Sequence, residues 1–387
     1  MPIFMLFMCG KQEIAMRPIL IGNGVEVILA SIASLLKRDD EKSEKTTGAL
    51  DRDRLLELEQ EKKTPLRQKL DWVISLCPLF CCALALMEYL LIPDKLKNAE
   101  PERYVLLLLI PAGIYAVNWI VARIAFRRGS KKKYWKLLDK APLWSVIYLL
   151  LLLLDWLTLK TGKLLYPFIP WVNDIINAAI ADWPSLLKST LFSLRLLLVG
   201  YFCGVVLGLL TGITCGYSKR VRYWINPIIK VLGPIPTATW LPLIMLLATS
   251  RFAGSVFIIA LGTWFSVTVA SMTGISNVDQ DYFDAARILG AKNRQLIFQV
   301  AIPSAMPNIL QGMTQGMSSA CISLMVAEMM GVEAGLGWYI TWAKAWAMYN
   351  RMFAAIVVLC LIFNGVTKAL DMVRKHALRW QKGVAKQ

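Results

Sequence analysis

The chain has 387 residues, of which 57% are hydrophobic and only 18% are charged. Soluble domains carry about 25% charged residues, so this composition excludes an ordinary soluble enzyme and favours a membrane protein. The formal net charge of +17 is spread over many short loops. This distribution is typical of the cytoplasmic loops of membrane proteins and argues against nucleic-acid binding.

Eight apolar runs have about the 20 residues that a helix needs to cross a bilayer. Lipid offers no hydrogen-bond partner to a backbone, so each run is predicted to be a helix. The predicted fold class is therefore an all-α membrane protein with about eight transmembrane helices. The runs lie at about 72–92, 103–126, 142–160, 188–212, 232–250, 254–275, 304–330 and 351–372.

The first 71 residues precede these runs and are expected to form a cytoplasmic or interfacial segment. Residues 1–36 have neither a basic start nor a small-residue cleavage site, so a signal peptide is not expected. Three alternatives are open for them: an interfacial or disordered segment, a weak span, or an extension from a misplaced start codon. Residues 37–71 carry charges of both signs and are predicted to be solvated.

A hairpin of two spans at 72–126 leads into loop 127–141, which contains seven basic residues and one acid. An excess of lysine and arginine marks a cytoplasmic loop. Alternation of the later spans then places loop 276–303 and both chain termini, including the basic tail 381–387, in the cytoplasm. The predicted location is the inner membrane of a bacterium, crossed several times.

Segment 161–187 falls on the outer side in the same topology. Its tryptophans and its tyrosine are typical of interface anchors, and its middle is predicted to be an amphipathic helix on the surface. Asp155 and Arg195 lie near the outer ends of their spans. Both side chains are expected to snorkel to the interface.

Span 188–212 carries a glycine at every fourth position, which places these residues on one stripe of a helix. Glycine is costly inside a helix, so the repeat predicts a face where another backbone comes close. The partner helix belongs either to this chain or to a second copy. The glycines predicted to pack in this way are Gly200, Gly204, Gly208 and Gly212.

Span 232–250 begins with three prolines in nine residues, which leave backbone groups without helical partners. Inside a membrane such groups are tolerated only where protein or water satisfies them, and broken helices often line solute paths. Pro234, Pro236, Thr237 and Trp240 are therefore predicted to line a translocation path. The alternative is a kinked helix with a purely structural role.

Loop 276–303 contains a short polar helix, predicted over 281–296, that presents apolar side chains to a groove in a partner. These side chains are Tyr282, Phe283, Ile288 and Leu289. A glycine in the loop lets the chain turn, and a proline at its end can start the next span. Leu289, Gly290 and Pro303 are therefore predicted to take part in coupling the chain to a partner.

Span 304–330 has a polar stripe formed by Gln311, Gln315 and Ser318. Amides are costly in lipid, so the stripe is predicted to face the translocation path or a partner helix. Glu328 lies near the outer end of the same span, where an ionisable group is a candidate for the path. A structural hydrogen-bonding role for Glu328 is the alternative.

Catalytic patterns are absent from the sequence. It contains no G-x-x-x-x-G-K-[ST] motif, and its one histidine, His376, lies close to the basic tail. Its cysteines lack metal-ligand spacing. The chain is therefore expected to be non-catalytic, to bind no metal or cofactor, and to take its energy from a partner.

The spacing from Asp284 through Gly290 to Pro303 resembles the EAA loop of ABC importer permeases, with Asp284 where the pattern usually has glutamate. Further matches follow in chain order: the glycine stripe, the proline-rich break, Ala327-Glu328-Met329 and Gly335-Leu336-Gly337-Trp338. Residues 142–380 are thus similar to the permeases that import nitrate, aliphatic sulfonates, taurine or bicarbonate. The resemblance does not specify the solute.

The resemblance implies a type I importer fold with a core of six helices. It also implies a second permease copy, as a homodimer, two cytoplasmic ATPase subunits that bind ATP and magnesium, and an extracytoplasmic solute-binding protein. Membrane lipids surround such an assembly. Asp284, Ala285, Ala286 and Gly290 would map onto the helix that docks in the ATPase groove.

The resemblance does not reach the N-terminal third of the chain. Two other function classes stay open: an ATPase-independent secondary transporter or channel, and a sensory membrane protein. A neighbouring gene for an ATPase would separate the first interpretation from both. The predicted organisation is an N-terminal segment 1–71, an extra hairpin 72–126, a basic loop 127–141, a permease domain 142–380 and a tail 381–387.

Overall fold

The computed structural model describes residues 65–96, 98–127, 132–163 and 167–379. Within these ranges every regular element is a helix, which confirms the predicted all-α fold class. The predictions for most of the N-terminal segment and for the basic tail lie outside the described residues.

The helices follow one another with short connections. The α-helices are α1 (Pro65–Leu91), α2 (Glu102–Arg127), α3 (Lys132–Asp155), α4 (Val172–Ala181), α5 (Trp183–Tyr217), α6 (Lys219–Leu232), α7 (Leu241–Leu247), α8 (Arg251–Ser276), α9 (Gln280–Ile288), α10 (Asn293–Gln295), α11 (Ile302–Met330), α12 (Leu336–Ala345) and α13 (Tyr349–Ala377). Shorter elements are the π-helices Trp156–Lys160 and Leu296–Ala301 and the 3₁₀ helix Thr237–Trp240.

Six helices of the described ranges are long and apolar enough to cross a membrane: α1, α2, α3 with its π-helical extension, α5, α8 and α13. A seventh candidate is the pair Lys219–Leu232 and Thr237–Leu247, which is bent by 89°. α11 covers the predicted span 304–330 but is not among these candidates, because glutamine, serine and threonine side chains interrupt its apolar surface. The count of eight spans therefore stays a prediction.

By their internal contacts the described residues fall into two units: residues 65–76 with 118–141, and residues 77–117 with 142–379. In the first unit, the buried Ser75 hydroxyl accepts hydrogen bonds from Trp119 Nε1 at 3.1 Å and from Tyr134 OH at 3.4 Å. These bonds join the parts of α1, α2 and α3 that belong to this unit.

Three long helices, α5, α8 and α11, form the core of the second unit. Leu196 and Tyr201 of α5, Ile259 of α8 and Leu324 of α11 are almost fully buried in one apolar cluster. The Tyr201 hydroxyl also donates a hydrogen bond to the Met313 carbonyl oxygen at 3.1 Å, which ties α5 to α11. The helices that carry half of the predicted site residues therefore share one core.

The glycine stripe of α5 packs against α8 of the same chain. A Cβ atom at Gly200 would lie 2.6 Å from Ile259 Cβ, and one at Gly204 would lie 2.6 Å from the Ala260 carbonyl oxygen. Side chains at these positions would therefore force the two helices apart. Equally close approaches to α8 occur at Gly208 and Gly212.

The connection between α1 and α2 is tied to α4, a short helix in the segment where a surface helix is predicted. Asn98 Oδ1 accepts hydrogen bonds from Trp171 Nε1 at 3.3 Å and from Asn173 Nδ2 at 2.8 Å. Arg103 donates to Asn177 Oδ1 at 2.9 Å. Polar side chains therefore fix α4 against the end of the hairpin.

The prediction that Asp155 snorkels to the interface is wrong. Its side chain is 0% exposed, because α1, α2 and the π-helical turn that follows it contribute neighbours on several sides. Arg195 is exposed, and its guanidinium carbon lies 5.5 Å from the centre of the Phe252 ring.

Candidate coupling segment and translocation path

α9 and the turn after it form the predicted coupling segment. The Asp279 side chain caps the start of α9. At the other end, the Gly290 N–H donates to the Arg287 carbonyl at 2.9 Å, and the Ala291 N–H donates to the Ala286 carbonyl at 3.0 Å. This pair of bonds is a Schellman ending, which requires the left-handed conformation that Gly290 adopts with φ of +81°.

Three large apolar or aromatic side chains are exposed on this otherwise polar segment. Ile288 is 86% exposed, Leu289 88% and Tyr282 61%. Phe283, the fourth predicted contact residue, is buried and packs with Leu296 of the same chain. Phe283 therefore anchors the segment to the core, and the other three side chains are exposed towards solvent or a partner.

Asp284 occupies the acidic position of the EAA-like pattern. Its Oδ1 accepts a hydrogen bond from Arg287 at 2.8 Å, and both side chains are more than half exposed. Ala285, the next residue, is also exposed. An exposed pair of this kind contributes at most about 1 kcal/mol to stability, so its carboxylate is accessible to a partner at little cost.

A small concave surface lies behind α9. Ala286, Leu289 and Gly290 line a cavity of 260 Å³ together with residues of the π-helix Leu296–Ala301. Pro303 lies in the first turn of α11, where the missing N–H of proline leaves no helical hydrogen bond unmade. The predicted coupling residues up to Gly290 thus lie in one segment, and Pro303 starts the helix that follows it.

A second cavity, of 360 Å³, opens beside the break between α6 and α7. Pro236, Thr237 and Trp240 line it from the break, and Gln315 lines it from α11. The hydroxyls of Thr237 and Ser323 lie 2.9 Å apart and join the break to α11. The structure therefore brings these four predicted path residues to one cavity.

Pro234, Gln311 and Ser318 do not line that cavity. Gln311 and Ser318 lie on the α11 face that also carries Gln315, and all three side chains are exposed. Amide groups are costly in lipid. The stripe therefore needs water or a second protein surface beside it.

Glu328 lies in a buried network near the C-terminal end of α11. Its Oε2 accepts a hydrogen bond from the Gly337 N–H at 2.8 Å. Gly335 has φ of +103°, and a side chain there would collide with the Glu328 carboxyl. Beside it, Ser193 Oγ accepts from the Leu336 N–H at 2.8 Å. Glu328 thus holds the turn between α11 and α12, and its role in the path stays a prediction.

A third cavity, of 650 Å³, lies between the N-terminal part of α5 and α12. Lys188 and Arg195 line it from α5, and the stacked rings of Trp338 and Trp342, with centroids 6.3 Å apart, line it from α12. Within the described part of the chain, neither cation has a carboxylate at ion-pair distance. Sequence patterns do not reveal this site, because its two sides come from distant segments.

The carboxylates of this third cavity already have partners. Asp182 accepts a hydrogen bond from the Tyr339 hydroxyl and lies 3.5 Å from Arg351. Glu333 pairs with Arg251. Burial, together with the Asp182 charge, raises the pKa of Tyr339, so its hydroxyl stays a donor at neutral pH. The cavity therefore carries an excess of positive charge.

The region that holds both the coupling segment and the break has known relatives. Residues 204–374 match the family described as "Binding-protein-dependent transport system inner membrane component". The chain belongs to the ABC importer permeases. This confirms the family expected from the EAA-like loop. The helices α1 to α4 of the permease lie outside the matched residues.

Relatives of the permease come from one branch of this family. The putative aliphatic sulfonates transport permease protein SsuC of Bacillus subtilis is 32% identical over 183 residues, which cover 47% of this chain and 66% of the relative. The taurine transport system permease protein TauC of Escherichia coli is 28% identical over 185 residues, 46% and 67% of the two chains. The nitrate import permease protein NrtB of Synechococcus elongatus is 27% identical over 114 residues, 30% and 41%.

The permease therefore spans between 41% and 67% of the length of these relatives. Two solved structures are also similar to it in part. An inward-facing MetNI methionine ABC transporter has a TM-score of 0.45 at 16% identity and covers 51% of this chain and 99% of its own. An amino acid ABC transporter with histidines has a TM-score of 0.43 at 21% identity, covering 51% and 95%.

Proposed function

We propose that this permease is the membrane subunit of an ATP-driven importer for a small anionic solute. A separate ATPase drives alternating access through the coupling segment 281–296. The observation that carries the proposal is the surface of that segment, where Ile288 and Leu289 are almost fully exposed beside a left-handed Gly290. Large exposed apolar side chains on an otherwise polar helix are typical of a contact with a groove in a partner.

The proposed assembly contains two copies of the permease and two ATPase subunits, which bind ATP and magnesium, together with an extracytoplasmic solute-binding protein. The exposed stripe of Gln311, Gln315 and Ser318 supports the second copy, because a partner helix or a shared aqueous path would satisfy its polar groups.

The solute path in this proposal passes the cavity at the break between α6 and α7. Thr237 and Gln315 offer hydrogen-bonding groups there, and Trp240 offers an apolar wall. A bent, interrupted helix also provides a place where α6 and α7 can move relative to α11 as the path opens.

An anionic solute is supported by the cavity at the start of α5. Lys188 and Arg195 face it without carboxylate partners among the described residues, and stacked tryptophans border it. A basic concave surface raises the local concentration of anions before they enter a path. Two of the relatives are named for anions, the aliphatic sulfonates and nitrate, and a third is named for taurine, which carries a sulfonate group.

Single cysteines at Thr237 and Gln315 test the proposed path and its link to ATP. In a background without the native cysteines, both should react with small water-soluble thiol reagents, and the rate should change when the bound ATPase is locked with ATP. Thr249→Cys, an exposed position outside this cavity, is the control for general accessibility and should react at the same rate in every nucleotide state. Labelling that is absent in every nucleotide state, or identical in all of them, would argue against the proposal.

Removing the two free cations should weaken transport of an anion. The double substitution Lys188→Gln and Arg195→Gln should raise KM about tenfold with little change in kcat, because the loss of attraction affects capture of the solute and costs on the order of 1 kcal/mol. Lys344→Gln, an exposed cation of α12 outside the cavity, is the matched control. An unchanged KM in the double variant would show that Lys188 and Arg195 do not help to capture the solute.

A further inference from the structure

Four ionisable side chains meet at one end of the helices that precede the family match. Glu88 belongs to α1, Asp94 follows it in the connection to α2, Asp155 ends α3, and Lys160 ends the π-helical turn after it. All four lie within the second unit of the chain. π-helical turns in α-helices frequently occur at functional sites.

The ammonium group of Lys160 donates its hydrogen bonds to partners other than Glu88 and Asp155. Its side chain is 1% exposed, and its Nζ donates to the Tyr89 carbonyl at 2.9 Å, to the Ile92 carbonyl at 2.5 Å and to Asp94 Oδ1 at 2.5 Å. An ammonium group has three donors, so none is left. Lys160 and Asp94 therefore neutralise one another and close the end of α1.

Glu88 and Asp155 lack a hydrogen-bond donor among the described residues. Asp155 is 0% exposed. Both carboxyl oxygens of Asp155 and both of Glu88 are sealed from solvent and receive no hydrogen bond from the described residues. The two carboxyls interact directly with one another. Asp155 is therefore a buried polar group beside a second carboxyl, and the nearby Lys160, which pairs with Asp94, donates no hydrogen bond to either of them.

The tyrosines that face this pair are also engaged elsewhere. Tyr89 OH accepts a hydrogen bond from Asn98 at 2.8 Å, and Tyr104 OH donates to the Leu151 carbonyl oxygen at 3.5 Å. Both rings lie near the two acids and contribute no positive charge. Together with Asp94 and Lys160, these are the titratable groups around the pair.

We propose that Glu88 and Asp155 form a proton-binding site in which the two carboxyls share one proton. Two adjacent carboxylates in a medium of low dielectric constant cannot both stay ionised, because their mutual repulsion adds to the cost of burying each charge. A proton between them supplies the missing donor and removes one of the two charges. Intramembrane acids without a fixed cation are functional sites by default.

The site is placed to act on the loop that holds α4. Lys160 and Asp94 clamp this loop beside the pair, and Asn98 of the same loop holds Trp171 and Asn173 next to α4. Loss of the proton would leave negative charges on both Glu88 and Asp155, next to the Lys160–Asp94 ion pair. The loop that holds α4 therefore lies directly beside the proposed proton site.

Infrared spectroscopy of the full chain in lipid nanodiscs tests the proposal. At neutral pH the protein should show the C=O band of a protonated, buried carboxyl that shifts in D₂O, and the double substitution Glu88→Gln and Asp155→Asn should remove it. Glu102→Gln, an exposed acid at the start of α2, is the matched control and should keep the band. If the double variant does not accumulate, Asp155→Asn alone serves the same comparison.

Two outcomes would overturn the assignment. The first is a wild-type spectrum at neutral pH without a band that depends on Glu88 or Asp155. The second concerns sodium, which carboxyl oxygens can also bind. If sodium chloride raises the thermal stability of the wild type but not of the amide variant, and potassium chloride at the same concentration does not, the pair takes a metal cation instead of a proton.

Discussion

Replacing Gly290 with valine should abolish ATP-driven transport while leaving the permease in the membrane. Gly290 has φ of +81°, a conformation that a β-branched residue adopts only with strain of about 1–3 kcal/mol. No described atom lies within 4 Å of a Cβ placed there, so the effect comes from the backbone and not from a collision. Relief of that strain would undo the Schellman ending and move the exposed Leu289 out of position.

The measurement is solute-stimulated ATP hydrolysis by the assembled transporter in nanodiscs, which should fall at least about tenfold, equal to 1.4 kcal/mol of lost coupling. Gly290→Asn is the matched control, because asparagine tolerates the left-handed conformation. Its activity should stay near that of the wild type. Normal transport by an assembled Gly290→Val variant would show that this turn does not transmit motion.

Replacing Gly204 with valine should prevent α5 from packing against α8. A Cβ there would lie 2.6 Å from the Ala260 carbonyl oxygen and 2.6 Å from Thr263 Cβ. Backbone atoms on the facing helix cannot move aside as a flexible side chain would, so the helices must separate. Such overpacking costs about 3 kcal/mol or more when the backbone itself has to shift. Most of the protein should be lost to aggregation before purification.

The yield of monodisperse protein in detergent and its thermal unfolding temperature measure this effect. Gly365→Ala is the matched control, because no described atom lies within 4 Å of a Cβ at Gly365 in α13. That substitution should be neutral or should stabilise the helix by up to about 1 kcal/mol, since alanine favours helices more than glycine does. A Gly204→Val protein as stable as the wild type would disprove close packing of the stripe.

The coupling segment and the helical fold could be predicted because their signals are local. Apolar runs of bilayer length specify helices wherever they occur, and the spacing from Asp284 to Gly290 describes a helix and its ending within a few residues. The glycine repeat likewise predicted a close helix contact, although the sequence left open whether the partner helix belonged to this chain.

Features that depend on distant segments could not be predicted. Phe283 belongs to the same apolar set as Ile288 in the sequence, but the π-helix after the loop supplies a core in which Phe283 is buried while Ile288 stays exposed. Asp155 lies near a predicted span end, yet the hairpin encloses it. The cavity with Lys188 and Trp338 is formed by α5 and α12, which lie far apart in the sequence. Only three-dimensional packing brings such groups together.

The central claim is that ATP hydrolysis by a partner drives solute through this permease. Proteoliposomes containing the permease, its ATPase and its solute-binding protein should accumulate a radiolabelled anion such as nitrate or an aliphatic sulfonate only when ATP is present on the ATPase side, and Gly290→Val should stop that accumulation. Uptake by the permease alone, driven by a proton or sodium gradient without nucleotide, would contradict the account and identify a secondary transporter.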